Sequence, residues 1–200
     1  MSQLIDLGIV QGRKGVTLKI FEEVCPDIFA LPQLKPSQFV TKLWSEYQAS
    51  PFTKSNNING TMFEYILAAI LIRHNLRPFH RGVKMAFIPN IEHDLILITT
   101  QKQVISLSAK TSLRERYKQA DLEAMALKNV HRKSLCYLLT LETHEAQVAK
   151  QKIKAGDALA LDDVILVNDS EFDHLIDDLS KFSFIENHQT SIVLQSRMVK

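Results

Sequence analysis

An aspartate, a lysine and a glutamate in the middle of the chain have the types and spacing that phosphodiester chemistry needs. Asp94 opens the apolar run 95–98, Lys110 stands at the end of the run that begins at Val104, and Glu123 follows 13 residues later on a helical pattern. Carboxylates hold a hard divalent cation, which polarises a phosphoryl group and activates water. A lysine beside them steadies the attacking water or the charge that develops on phosphate. Strand side chains alternate, so Ser106, Ser108 and Lys110 share one face while Ile105, Leu107 and Ala109 take the other. A polar row ending in lysine, on a strand otherwise fit for burial, has a reason if it borders such a site. The plainer alternatives are a turn role for Asp94 after Pro89-Asn90 and a solvated strand end for Lys110.

Glu123 has its own alternative, and two further groups are placed to join the set. Glu123 sits at the edge of the apolar stripe formed by Leu113, Tyr117, Ala120, Ala124 and Leu127, and it can turn toward a sheet or toward water. Glu64 ends a T-x-x-E that begins at Thr61, so it either caps a helix start or supports the metal site. Arg114, Glu115 and Arg116 lie at the start of the helix that carries Glu123. Ser112 to Glu115 has capping-box spacing. The triplet is also suited to base reading: arginine pairs bidentately with guanine O6/N7, and a carboxylate accepts from cytosine N4.

The elements that must position these groups alternate. Helices are expected at 36–49, from Gly60 to 74, at 112–129, 144–154 and 171–181. Strands are expected at 83–88, 94–99, 104–108, 134–141 and 164–167, with an edge strand at 192–194. The order predicts an α/β fold, a mixed central sheet flanked by helices. A chain of 200 residues with 46% hydrophobic content suits one domain, with 1–58 as a helical or irregular extension and 59–200 as the core. The net charge of +2 is too small to require a polyanionic partner, but the charge is segregated. Residues 110–133 hold seven Lys/Arg against three acids, and residues 157–178 hold eight acids with no Lys or Arg. One face is thus expected for a polyanion and one for water. Two distant cysteines, Cys25 and Cys136, predict free thiols. With no apolar leader and no membrane-length run, the expected compartment is the cytoplasm.

The stretch S-A-K-T-S-L-R-E-R-Y-K-Q with its distant glutamate resembles the PD-(D/E)XK nucleases, and within them the EcoRII/PspGI-like branch of type II restriction endonucleases. The common motif has an acid two residues before the lysine, where this chain has Ser108. In that branch the acid is typically replaced by a glutamate on the following helix, at the K-x12-E spacing that Lys110 and Glu123 show. An Arg-acid-Arg triplet after the lysine reads C·G pairs there, which Arg114, Glu115 and Arg116 match, with Lys118 beside them on the DNA-facing side. The resemblance covers roughly residues 60–167. It implies a restriction-endonuclease-like fold and Mg²⁺-dependent, site-specific cleavage of double-stranded DNA at a short CC/GG-containing site. Asp94 and Glu123 would ligate the metal, with the carbonyl of Ala109 as a further donor, and Lys110 and Glu64 would complete the catalytic set. The interval from Asp94 to Lys110 is shorter than in this branch, so Glu92 is the alternative first ligand. Members of the group can flip a central base, for which Trp44, Tyr47 and Phe52 are candidate stacking rings, each also suited to core packing. A palindromic target favours a homodimer, and a monomer that nicks each strand in turn is the alternative. The competing functions are a repair or mobile-element nuclease of the same fold, and an inactive DNA-binding relative.

Overall fold

The computed structural model describes residues 2–11, 15–88, 90–185 and 193–199. Its helices are α1 (Gln3–Asp6), α2 (Val16–Val24), α3 (Pro36–Ala49), α4 (Asn56–Arg73), α5 (Arg116–Val130), α6 (Thr143–Ala155) and α7 (Ser170–Leu179). Its strands are β1 (Phe79–Met85), β2 (His93–Ile98), β3 (Val104–Lys110), β4 (Leu135–Thr140), β5 (Asp163–Leu166) and β6 (Val193–Val199). They form one sheet in the order β5-β4-β3-β2-β1-β6. β1, β2 and β3 make the expected antiparallel meander, β3, β4 and β5 run parallel, and β6 pairs antiparallel with β1. Among the described residues no helix is long and apolar enough to cross a membrane.

Alternation along the strands divides the core. Leu95, Leu97, Ile105, Leu107 and Ala109 face a cluster that includes α2, α3, α4 and α7. Ile96, Ile98, Val104, Leu138 and Val164 face the other, built with Ala120, Ala124 and Leu127 of α5 and Ala146 and Ala149 of α6. Helix α4 is the central helix of the first layer: Met62, Phe63 and every residue from Tyr65 to Ile72 are buried. Helix α5 crosses the second, with the apolar stripe its sequence predicts.

Three elements differ from expectation. Helix α4 begins at Asn56 rather than Gly60, because the Ser55 side chain caps it by accepting from the Ile58 N–H at 3.2 Å. Gly60 is therefore helical; its penalty of about 1 kcal/mol against alanine is small beside the burial of the apolar run that follows. Thr61 lies inside the helix, so the capping role for Glu64 is overturned. Helix α5 begins at Arg116, and Glu115 occupies its N-cap position without a side-chain cap bond. The expected Ser112–Glu115 capping box is absent because buried Leu113 anchors a turn there, with its N–H donating to the Glu145 carboxylate at the start of α6. Strand β1 starts at Phe79, four residues early, because it is a central strand paired on both edges, and 86–88 fall in the turn beyond it. The edge strand expected at 192–194 is β6, although Ile192 lies outside the described residues.

Candidate active site

Register brings the chemistry to one end of the sheet. Leu95 pairs with Leu107 in the antiparallel β2–β3 ladder, which sets Asp94 at the start of β2 beside the last residues of β3. Three donors then converge on Asp94 Oδ2: the Ala109 main-chain N–H at 2.7 Å, Lys110 Nζ at 2.9 Å and Ser108 Oγ at 3.3 Å. The Lys110 and Asp94 side chains are only 13% and 18% exposed, so solvent screens this pair far less than a surface ion pair. Glu92, the alternative ligand, is exposed and approaches Gly82 of β1 instead.

Glu64 reaches the same place from α4. It lines a cleft of about 250 Å³ together with Asp94, Ala109, Lys110, Thr111 and Arg116. The Glu64 carboxyl is pushed up to about 6 by burial first and then by the charge of Asp94, against the pull of Arg81 and Lys110. Glu123 comes from α5. Burial raises its pKa, Lys110 and a 2.8 Å hydrogen bond from Gln119 lower it, and Asp94 raises it. Its side chain is half-buried, within electrostatic reach of Lys110 and Asp94. His93, next to Asp94, is buried and held neutral, its pKa pushed down to about 4 chiefly by burial.

Glu64, Asp94 and Glu123 share a feature. In each, one oxygen is engaged, and the other accepts no hydrogen bond among the described residues. Three half-free carboxylates, with the charge of Asp94 raising the pKa of both Glu64 and Glu123, are a donor set of the kind a hard divalent cation takes. They do not close into a ready-made cage: among the described residues no group of three Asp, Glu, His or Cys side chains is gathered tightly enough to enclose a metal. The residues fit a cation bound through one or two protein carboxylates, with water and substrate completing its shell.

A second cleft, of about 600 Å³, adjoins the first through Asn56, Thr111 and Arg116, and is lined also by Ser112, Arg114, Glu115 and Gln119. The triplet is exposed at its rim. Arg114 has a positive φ of 39°, an uncommon conformation for a non-glycine residue, on the turn that Leu113 anchors. Glu115 forms an exposed ion pair with Lys118. Trp44, Tyr47 and Phe52 lie elsewhere. Trp44 packs edge-on against Tyr47 and Phe63, with ring centroids 5.4 and 6.0 Å apart, and Phe52 packs partly buried against the core. Tyr47 is fully buried, with its hydroxyl donating to Asn59 at 2.5 Å, so it is a core residue and is not presented to a base.

Two groups were not marked by sequence. Arg81 of β1 is 4% exposed and forms a 2.7 Å ion pair with Glu64; a lone arginine in a strand pattern reads as solvent-facing. The second is Asp121 of α5. It is buried and accepts from the N–H groups of Leu159, Ala160 and Leu161 at 3.0, 2.8 and 3.0 Å, a structural role.

A scan of family models and a search of curated proteins find no match. Among solved structures, the chain is similar to the restriction endonuclease PspGI in complex with its substrate DNA. The identity is 17%, the match covers 86% of this chain and 83% of that one, and the TM-score is 0.58. At that identity the likeness is one of backbone. A six-stranded mixed sheet with helices on both faces, superposable over most of both chains, gives this protein a restriction-endonuclease-like fold.

Proposed function

We propose that the protein is a Mg²⁺-dependent endonuclease that cuts duplex DNA at a short site containing C·G pairs, as a type II restriction enzyme does. The observation that carries this reading is the convergence of Lys110 Nζ and the Ala109 N–H on Asp94 Oδ2, in a cleft that Glu64 shares. Bound Mg²⁺ would supply Lewis-acid polarisation of the phosphoryl oxygen and an activated water, with Asp94, Glu123 and the Ala109 carbonyl as its protein donors. Lys110, tethered by Asp94, is aimed at the phosphate and meets the charge that develops on it. Glu64 has a pKa near 6 and an unengaged oxygen at the cleft, so it can hold the attacking water and take its proton near neutral pH. Arg116 lines both clefts, and Arg114 and Glu115 continue along the second, so the triplet would read base edges while the first cleft holds the scissile phosphate.

A two-fold homodimer would let both strands of a palindrome meet identical sites, and the setting would be cytoplasmic, beside a methyltransferase that protects the host site. The test is digestion of a random-sequence duplex library in Mg²⁺ or in chelator, followed by sequencing of the new ends. The proposal expects Mg²⁺-dependent ends flanked by one short motif with C·G pairs. Ends without any motif would favour a repair or mobile-element nuclease, and DNA bound but never cut would favour an inactive relative.

A further inference from the structure

Arg81 is the most fully buried charge near the cleft, and every contact it makes has a direction. Its Nη1 donates to Glu64 Oε2 at 2.7 Å, its Nε donates to the Ile9 carbonyl at 3.3 Å, and its guanidinium lies 5.0 Å from the centroid of the Tyr65 ring. Three elements thus fix one side chain: the segment after α1, the strand β1 that carries it, and the helix α4 that carries Glu64. A guanidinium held at three points cannot swing. Lysine could replace the charge but not the fork that reaches a carboxylate and a carbonyl together.

The consequence falls on Glu64. A glutamate has three rotatable bonds, and one on a helix flank beside a cleft would ordinarily sample several rotamers. With Oε2 taken by Arg81, the side chain is tethered, and Oε1 is the oxygen left for the cleft shared with Asp94 and Lys110. We infer that Arg81 is a positioning residue for the cleavage reaction, which orients Glu64 Oε1 toward the scissile phosphate without touching substrate. Burial and Asp94 both work against an ionised Glu64, and Arg81 is the largest influence in the other direction, which agrees with this role. The inference rests on the nuclease reading and adds to it a residue whose effect must pass through Glu64 alone. It also connects the N-terminal segment to the chemistry, because Ile9 holds the far side of the same guanidinium.

A double-mutant cycle tests it, with single-turnover cleavage of plasmid DNA in Mg²⁺ and DNA binding in Ca²⁺ as separate readouts. Arg81→Met should slow cleavage by roughly 100-fold, in the range that mispositioning of one catalytic group produces, while DNA affinity stays within about two-fold. Arg81→Lys should recover part of the rate. Arg81→Met combined with Glu64→Gln should cut no more slowly than Glu64→Gln alone, because no catalytic carboxylate is then left for Arg81 to position. A merely structural arginine predicts the opposite: losses that multiply in the double variant, and a fall in DNA binding together with cleavage. Either result, or an Arg81→Met variant that cuts at the parent rate, overturns the inference. If Arg81→Met does not fold, Arg81→Gln closes the same cycle. A parent that cuts while the cycle multiplies refutes only the positioning role, whereas a parent that never cuts removes the nuclease reading itself.

Discussion

Glu64→Gln should make the protein more stable at pH 8 and catalytically poor, and the size of the gain follows from the site. The folded-state pKa of Glu64 is about 6, above the ordinary 4.5, so protonation favours the folded protein. Its contribution is most favourable below about pH 4.5 and is lost as pH rises through about 6. At 1.36 kcal/mol per pH unit, ionising this carboxyl in place costs the fold about 2 kcal/mol at neutral pH and above. Glutamine carries no charge to desolvate and still accepts from Arg81 through its carbonyl oxygen, at a side chain 25% exposed. Urea unfolding in chelator should therefore show the variant more stable by about 1 to 2 kcal/mol at pH 8, with the gap closing toward pH 4.5. Mg²⁺ should narrow the gap at pH 8, because a cation favours the charged parent. Cleavage by the variant should drop by about 100-fold or more. A variant destabilised equally at pH 8 and pH 5 would refute the claim that a buried, ionised Glu64 is held at a cost in stability. Full cleavage activity would refute its role in the chemistry.

Glu123→Gln should leave melting within about 0.5 kcal/mol of the parent but cut cleavage by orders of magnitude, since a metal donor loses its charge; parent-like cutting would remove Glu123 from the site. Arg114→Ala and Arg116→Ala should each lose about 1–3 kcal/mol of preference at one or two C·G positions, measured by binding to the cut motif and its single-pair variants in Ca²⁺; a uniform loss on every duplex would reassign them to the DNA backbone. Asp121→Ala should destabilise by about 3 kcal/mol in thermal or urea melts, because three N–H groups, two of them buried, lose a charged acceptor, while cleavage per folded molecule is kept.

The parts of the fold that sequence made legible are those where local chemistry and burial agree. Pro36-Ser37 predicts a helix start and a helix over 36–49, and α3 spans Pro36–Ala49. The elements β4, α6, β5 and α7 alternate cleanly and lie within two residues of expectation. The proximity of Asp94 and Lys110 was legible because one starts a strand and the other ends the next strand of an antiparallel meander, which brings them to the same sheet end. Helix starts differ from expectation where a weak cap signal competes with tertiary anchoring. Thr61 and Ser112 offered capping spacing, but Ser55 capped α4 and the Glu145–Leu113 bond fixed the turn before α5. Arg81 was illegible because its meaning depends on a partner 17 residues away and on a central strand position that β6 completes.

The most direct test of the account is supercoiled plasmid cleavage by the parent and by Lys110→Met in Mg²⁺, with gel-shift binding of the same DNA in Ca²⁺. Lys110 Nζ donates to Asp94 at 2.9 Å inside the cleft, so its loss removes the cation aimed at the phosphate and leaves the more distant arginines on their own loop and helix start. The account predicts defined linear fragments from the parent, cleavage lower by at least about 1,000-fold in the variant, and DNA binding retained. A variant that cuts like the parent, or a parent that binds duplex DNA and leaves it intact at every Mg²⁺ concentration, would contradict it.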